Sequence, residues 1–363
     1  MAIRVRAAVA WEAGAPLSLE DVDLDDLRED DILVRTEAVG VCHTDEASRL
    51  GQTPVQFPIV LGHEGAGVVE SVGVLVRKVR PGDRVLFTPD YCGHCEQCRL
   101  GYTPYCDDAG PLSFAGAERA SCGGKRVRTS FFGQSSFATR CVVTERNIVP
   151  VPSDAPLHYL AGLTCGIQTG AGAILNAMPV GAGGSVAVFG TGAVGLAAVM
   201  AAVASGARSV VAIDRVAHRL SLALELGATH AIDTTARPLP DVTAEVLKAT
   251  RGGADTVLDT TSDPDVILAG VGSLATHGTC SVITGSGAPV PVPPGTLLLK
   301  GRKIRGTVGG HINPTVFIPR LLEMHYEGRF PFDRLVKNYP FGQVATAMAD
   351  SLAGGTIKPV LTF

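Results

Sequence analysis

The chain has no block of like charges and no apolar run long enough to cross a bilayer, and these two absences remove several classes of function. Charged residues are only 18% of the 363, and the formal net charge is −4. Nothing here offers an electrostatic footprint for nucleic acid or an anionic membrane. The most apolar stretch, Ala193 to Ala204, is about a dozen small residues broken by Gly195, far short of the roughly 20 that a span requires, so it reads as a buried helix. The opening MAIRVRAAVAWEAG lacks the apolar core of a secretory signal, and a cytoplasmic location is expected. There is neither a low-complexity segment nor an internal repeat of fixed period. Small molecules are the expected partners.

What is present is a hydrophobic content of 46% over a length that suggests two domains, with 43 glycines suited to tight turns and close backbone approaches. Residues 1 to about 150 alternate short β-branched runs (Arg4–Val9, Asp31–Ala38, Ala66–Val72, Arg84–Thr88, Ser136–Val143) with Gly, Pro and Asp, the texture of a β-rich domain. From about Thr169 the pattern changes to strand, glycine turn, apolar helix, strand and helix, which predicts an open parallel sheet with helices on both faces. Past about Thr307 it changes again, with Pro314–Glu327 as a helix and Lys358–Thr362 as a closing strand. The expected division is 1–166, 167–307 and 308–363, the last returning to the first domain or forming a third unit.

Nine cysteines are an odd number. Four of them, Cys92, Cys95, Cys98 and Cys106, are spaced C-x2-C-x2-C-x7-C. Disulfides are the alternative, but adjacent C-x2-C pairs are too cramped for good bridges. Four thiolates so close together predict a closed tetrahedral zinc site that braces a loop and leaves no position for substrate. Cys122, Cys141 and Cys280 are left as free thiols.

Gly190-Thr191-Gly192-Ala193-Val194-Gly195 is a G-x-G-x-x-G turn that follows the strand Ser185–Phe189, opens the apolar helix and precedes Asp214 at the end of the next strand. In that context it predicts a dinucleotide site. Gly190 makes the tight turn, Gly192 lets backbone N–H groups approach a pyrophosphate, and Gly195 lets helix and strand pack closely. Asp214 suits ribose hydroxyls and opposes a 2′-phosphate, so NAD is expected over NADP, with Arg215 as a neighbour tolerant of some NADP. A merely structural glycine turn is the competing account.

Cys42, His63 and Cys165, each unremarkable alone, together supply the Cys2His composition of an open zinc site. Such a zinc is a Lewis acid that eases loss of an alcohol proton ahead of hydride transfer to a nicotinamide.

In this order, the three ligand segments, the four-cysteine lobe and the glycine turn resemble the zinc-dependent medium-chain alcohol dehydrogenases over essentially the whole chain. The patches Phe131–Phe137, Cys165–Gly170 and Gly328–Asp333 resemble the aryl-alcohol (benzyl alcohol) branch. The resemblance implies an α/β fold in which a GroES-like, partly open β-barrel catalytic domain is interrupted by a doubly wound Rossmann domain, with the active site in the cleft between them. It implies two zinc ions per chain, at Cys42, His63 and Cys165 and at the four-cysteine lobe. It makes Glu64 a carboxylate near the metal, Asp45 the partner of the liganding imidazole, and Thr44 the hydroxyl that starts a proton relay. His43 and Lys358 become the basic pair at the pyrophosphate, Thr169 and Val194 pack on the nicotinamide, and Arg219 reaches the adenosine ribose. Phe87 and Phe137 are candidate pocket walls or ordinary core residues. Where many relatives end the relay in histidine, this chain has Ala47. A homodimer or homotetramer is implied.

The expected reaction is reversible, NAD-dependent oxidation of a primary aromatic or allylic alcohol to its aldehyde. A thiol-adduct (formaldehyde) dehydrogenase and a non-catalytic NAD-binding protein are the alternatives.

Overall fold

Strand Ile3–Ala10, which alternates as far as Arg6 and is buried from Ala7 onward, pairs antiparallel with Ser18–Leu24, placing Ala7 opposite Glu20. These two close a five-stranded barrel with Ala117–Cys122, Lys125–Thr129 and the short Ile59–Val60. A seven-stranded sheet lies beside it in the order Ile148–Val151, Arg84–Phe87, Gly65–Val72, Ile32–Gly40, Lys358–Thr362, Val336–Pro340, with Arg140–Val143 also pairing with Ile32–Gly40. The barrel is therefore closed where a partly open one was expected, because Ile59–Val60 bridges Ile3–Ala10 to Lys125–Thr129. The structure, a computed structural model, describes residues 3–284 and 287–363.

Contacts divide the chain into two units. The first comprises residues up to Cys165 with Asn313–Pro319 and Asp333–Phe363; the second comprises Gly166–Ile312 and Arg320–Phe332. The return segment is thus split rather than wholly part of the first unit. The part of helix Pro314–Tyr326 from Arg320 onward lies in the second unit, where Arg320 reaches Asn176 at 3.5 Å and, with Met324, Leu175 and Ala204, lines a cavity of about 280 Å³.

In the second unit, six all-parallel strands run Ser185–Phe189, Ser209–Asp214, His230–Asp233, Ala254–Asp259, Leu274–Val282 and Lys303–Gly306. Numbered in chain order, they lie 3-2-1-4-5-6 across the sheet, the doubly wound order of dinucleotide-binding folds. The first strand is buried along its whole length. Helix Ala193–Ala204 is apolar on every side and eight of its residues are buried, as expected of a helix covered on more than one face. Helix Gly166–Gly172 packs against it at Gly170, where a Cβ would lie 1.9 Å from the Val194 carbonyl oxygen.

One strand expectation fails for a local reason. Ser136–Val143 becomes a strand only from Arg140, because the Ser136 and Phe137 N–H groups are spent on the carbonyls of Gly62 and Leu61. Strand Leu274–Val282 follows directly on helix Pro264–Gly272. Among the described residues, no helix is long and apolar enough to cross a membrane.

Candidate functional site

Cys42 stands at the N-cap of the short helix His43–Arg49, placed there by the end of strand Ile32–Gly40. Asp45, in the first turn, accepts from the Cys42 N–H through Oδ2 at 3.0 Å, and from the Gly62 N–H through Oδ1 at 3.1 Å. The same Oδ1 lies 2.9 Å from His63 Nδ1. Asp45 and His63 are both completely buried. One carboxylate therefore fixes the helix start, the Gly62 turn (φ +89°) and the imidazole ring, with Nδ1–H donating so that the Nε2 lone pair is free.

That Nε2 is buried and has no hydrogen-bond partner. Donor atoms of Cys42, His63, Glu64 and Cys165 all lie within 4.8 Å of one another. An orphaned imidazole nitrogen among two thiols is costly as it stands and suits a divalent ion bound by Cys2His, so these residues fit the zinc that the sequence implies. Bonding to the Cys165 thiol holds Cys42 well below the ordinary thiol value, and the same bond holds Cys165 well above it. Burial opposes a charge on His63, but the Asp45 carboxylate outweighs it and raises the imidazole well above its usual value.

Behind this set lies a buried ion pair. Lys358 Nζ donates to both Glu64 oxygens at 2.7 Å and to the Val41 carbonyl at 3.3 Å, so all three of its protons are engaged. Lys358 is 2% exposed. Strand Lys358–Thr362 pairs with Ile32–Gly40, which points the ammonium inward at Glu64. Burial pushes the Glu64 carboxyl up to about 7 against the pull of Lys358. Gly40 leaves room for the carboxylate, since a Cβ there would lie 1.9 Å from Glu64 Oε2 and displace it from Lys358. His43, the other expected member of the basic pair, is exposed on the first helical residue. Thr44 is half-buried with its Oγ1 3.7 Å from Cys42 Sγ, and Ala47 is half-buried one turn along.

The segment Phe131–Phe137 wraps His63, and sequence reasoning saw it only as a patch of resemblance. Phe132 stacks on the imidazole at 4.7 Å and 28°, while Phe131 meets it edge-on at 5.6 Å. Phe114 packs against both phenylalanines. The buried Gln134 donates to the His63 carbonyl and accepts from the Gly65 N–H, each at 3.0 Å. Phe132 itself has φ +51°, a conformation unusual for a bulky residue, and non-local packing of this kind leaves no periodic trace in sequence. By contrast, Phe87 and Phe137 are fully buried. A Cβ on Gly65 would meet Phe87, and one on Gly62 would meet Phe137. Each belongs to a hydrophobic core cluster of its own, Phe137 with Val9 and Leu61 and Phe87 with Val85 and Ile148.

The four-cysteine lobe gathers Cys92, Cys95, Cys98 and Cys106 with their sulfurs within 4.8 Å. All nine cysteines of the chain are free thiols. The Cys92–Cys98 sulfurs are 3.9 Å apart, far beyond a bond and close to the ~3.8 Å edge of a tetrahedron with Zn–S near 2.3 Å. Backbone N–H groups of Cys92, Cys95 and Cys98 each approach a cysteine sulfur of the lobe at 3.2 to 3.4 Å, the arrangement that supports thiolates.

In the second unit, Gly190 (φ +87°) donates its N–H to the Ile213 carbonyl, and a Cβ there would meet the Thr260 hydroxyl. A Cβ on Gly195 would lie 1.9 Å from the Gly190 carbonyl oxygen, whereas at Gly192 nothing comes nearer than Arg219 Nη1 at 4.0 Å. Gly192 therefore opens the cradle that a pyrophosphate needs at a helix N-terminus. Arg219 keeps a buried Nε without a partner. Asp214 stands at the strand end, its carboxylate accepting from the Thr191 N–H and hydroxyl at 2.6 and 2.8 Å and from the Arg215 and Val216 N–H groups. Arg215 is exposed, Val194 lies half-buried in the first turn of the helix, and Thr169 is 7% exposed.

Two closely built metal-ligand sets on a barrel-and-sheet unit, with a glycine-turn parallel sheet in the other, describe a zinc-binding dehydrogenase of the alcohol dehydrogenase type. The chain belongs to that family: residues 28–153 match the alcohol dehydrogenase GroES-like domain and residues 193–324 the zinc-binding dehydrogenase domain. It is 46% identical over 369 residues to geraniol dehydrogenase of Castellaniella defragrans, covering 99% of this chain and 98% of that protein. A Burkholderia ambifaria alcohol dehydrogenase zinc-binding domain protein superposes with a TM-score of 0.96 at 46% identity over the full length of both chains. Benzyl alcohol dehydrogenase of Acinetobacter calcoaceticus superposes with a TM-score of 0.94 at 39% identity over 99% of each.

Proposed function

We propose that the chain oxidises a primary allylic or aromatic alcohol to its aldehyde, reversibly, with NAD as acceptor. The observation that carries the substrate class is the half-buried Phe132 stacked on the ligand histidine, with Phe114 against it. Aromatic faces beside the reacting centre favour flat, unsaturated groups. The similarity to a geraniol and a benzyl alcohol dehydrogenase supports the same class. When bound, a zinc at Cys42, His63 and Cys165 supplies Lewis acidity and NAD supplies a hydride acceptor. Kinetics across geraniol, benzyl, cinnamyl and short aliphatic alcohols, and a thiol with formaldehyde, test this. The unsaturated alcohols should lead in kcat/KM, and a lead for the thiol adduct would overturn the proposal.

The chain's own residues do the rest. Asp45 holds the His63 tautomer, and the Thr44 hydroxyl takes up the alcohol proton. With Ala47 in place of an imidazole, that proton passes on to water. Thr44→Val should lower kcat by ~100-fold, the scale of positioned acid–base catalysis, while Thr44→Ser retains most activity. Equal loss in both variants would remove the hydroxyl from the mechanism.

Cofactor choice rests on Asp214, held in place by Thr191. Asp214→Gly removes a ribose acceptor and the charge opposing a 2′-phosphate, leaving Arg215 and Arg219 nearby. The NADP/NAD ratio of kcat/KM should rise at least tenfold, equivalent to about 1.4 kcal/mol. A native preference for NADP, or an indifferent ratio, would contradict the assignment.

A homodimer is the assembly best supported. Strand Lys303–Gly306 is a sheet edge with no partner on its outer side among the described residues, and Ile304, Leu298 and Leu299 are exposed beside it. Such an edge invites pairing with a second chain. Ile304→Lys should shift the mass measured by light scattering toward the monomer, and an unchanged mass would place the interface elsewhere.

A further inference from the structure

His94 and Asp108 sit on the outside of the four-cysteine lobe, and neither contributes to the tetrahedral set. Both are exposed. A ligand atom from each lies with the Cys92 sulfur in a group whose members are all within 4.8 Å of one another. The His94 ring is held by a 3.1 Å contact between Nδ1 and the Cys92 carbonyl oxygen. Cys92 thus belongs to two ligand groups at once, an inner one of four sulfurs and an outer one of sulfur, imidazole and carboxylate. A thiolate keeps lone pairs after binding one metal and can bridge to another. Four thiolates around one dication leave the lobe doubly negative, and the exposed Asp107 and Asp108 add to that charge. The mixed donor set suits a borderline ion such as zinc.

We propose that Cys92, His94 and Asp108 form an outer zinc site that shares the Cys92 thiolate with the tetracysteine cluster and carries the exchange of its ion with solution. The physical advantage is stepwise transfer. An ion entering a closed set of four sulfurs has no vacant position to approach, whereas one first held by imidazole and carboxylate already owns one of the four thiolates. This inference rests on the reading of the four-cysteine lobe as a zinc site.

The test uses the intact zinc-loaded protein with excess isotopically enriched zinc, read by native mass spectrometry. The wild-type chain should hold a third zinc that the His94→Ala/Asp108→Asn double variant lacks. Exchange of one resident ion should be about 10-fold slower in that variant, the scale on which supporting ligands act at metal sites. Exchange of the other ion, alcohol turnover and the melting temperature should be unchanged. Equal zinc counts, or equal exchange rates in the two proteins, would overturn the proposal. A wild-type chain retaining only one zinc would instead sink the underlying reading of the lobe.

Discussion

Cys165→Ser should reduce alcohol oxidation by roughly a thousandfold while leaving the fold intact, because Lewis-acid stabilisation worth several kcal/mol translates at tenfold per 1.4 kcal/mol. Cys165 sits between the short helical turn Ala161–Thr164 and helix Gly166–Gly172, every residue of which is buried. The comparison that isolates the effect is Cys98→Ser. Losing one of four lobe thiolates should release that ion and lower the melting temperature, since metal binding at a structural site is itself folding free energy. Circular dichroism, metal content and turnover measured on both variants separate the two roles. Wild-type turnover with full metal content in Cys165→Ser would overturn the ligand assignment.

Lys358→Met should destabilise the protein by about 3–5 kcal/mol, the cost of leaving one member of a buried ion pair uncompensated. The orphan would be Glu64, completely buried and pressed against Gly40. Glu64→Gln in the same chain replaces the stranded carboxylate with a neutral amide and should recover most of the loss. Denaturant midpoints of the two single variants and the double variant, all zinc-loaded, measure this coupling. Strict additivity would show that Lys358 and Glu64 do not act as a pair.

Much of this was legible in the residues. Spacing alone identifies the lobe, because four cysteines within fifteen positions must converge wherever the loop goes. The glycine turn was legible because strand, turn, helix and acidic residue are local and consecutive. The Asp45–His63 contact was accessible only through the family resemblance, since it joins a helix start to a separate loop eighteen residues on. Three features were not legible. The pairing of Lys358 with Glu64 was missed because the direction of the lysine depends on a strand register that sequence does not display. Phe132 was overlooked because its orientation comes from a left-handed backbone conformation at a non-glycine residue. Phe87 and Phe137 were ambiguous because a buried phenylalanine and a pocket phenylalanine look identical until the opposing glycines, Gly65 and Gly62, are seen.

The pairing of Lys358–Thr362 with Ile32–Gly40 also bears on how the protein is made. A ribosome releases Glu64 long before it reaches Lys358, 294 residues later, and the whole parallel sheet is translated in between. During that interval the β-sheet of the first unit has an open edge at Ala38–Gly40, and Glu64 waits without its counter-charge. Domains generally fold as they emerge, but this one must hold a place open across an inserted neighbour. An interrupted translation product would therefore contain every proposed zinc ligand while lacking the strand that seals the sheet behind them, which makes the nascent chain a natural client for chaperones and its truncated forms prone to aggregate at that edge.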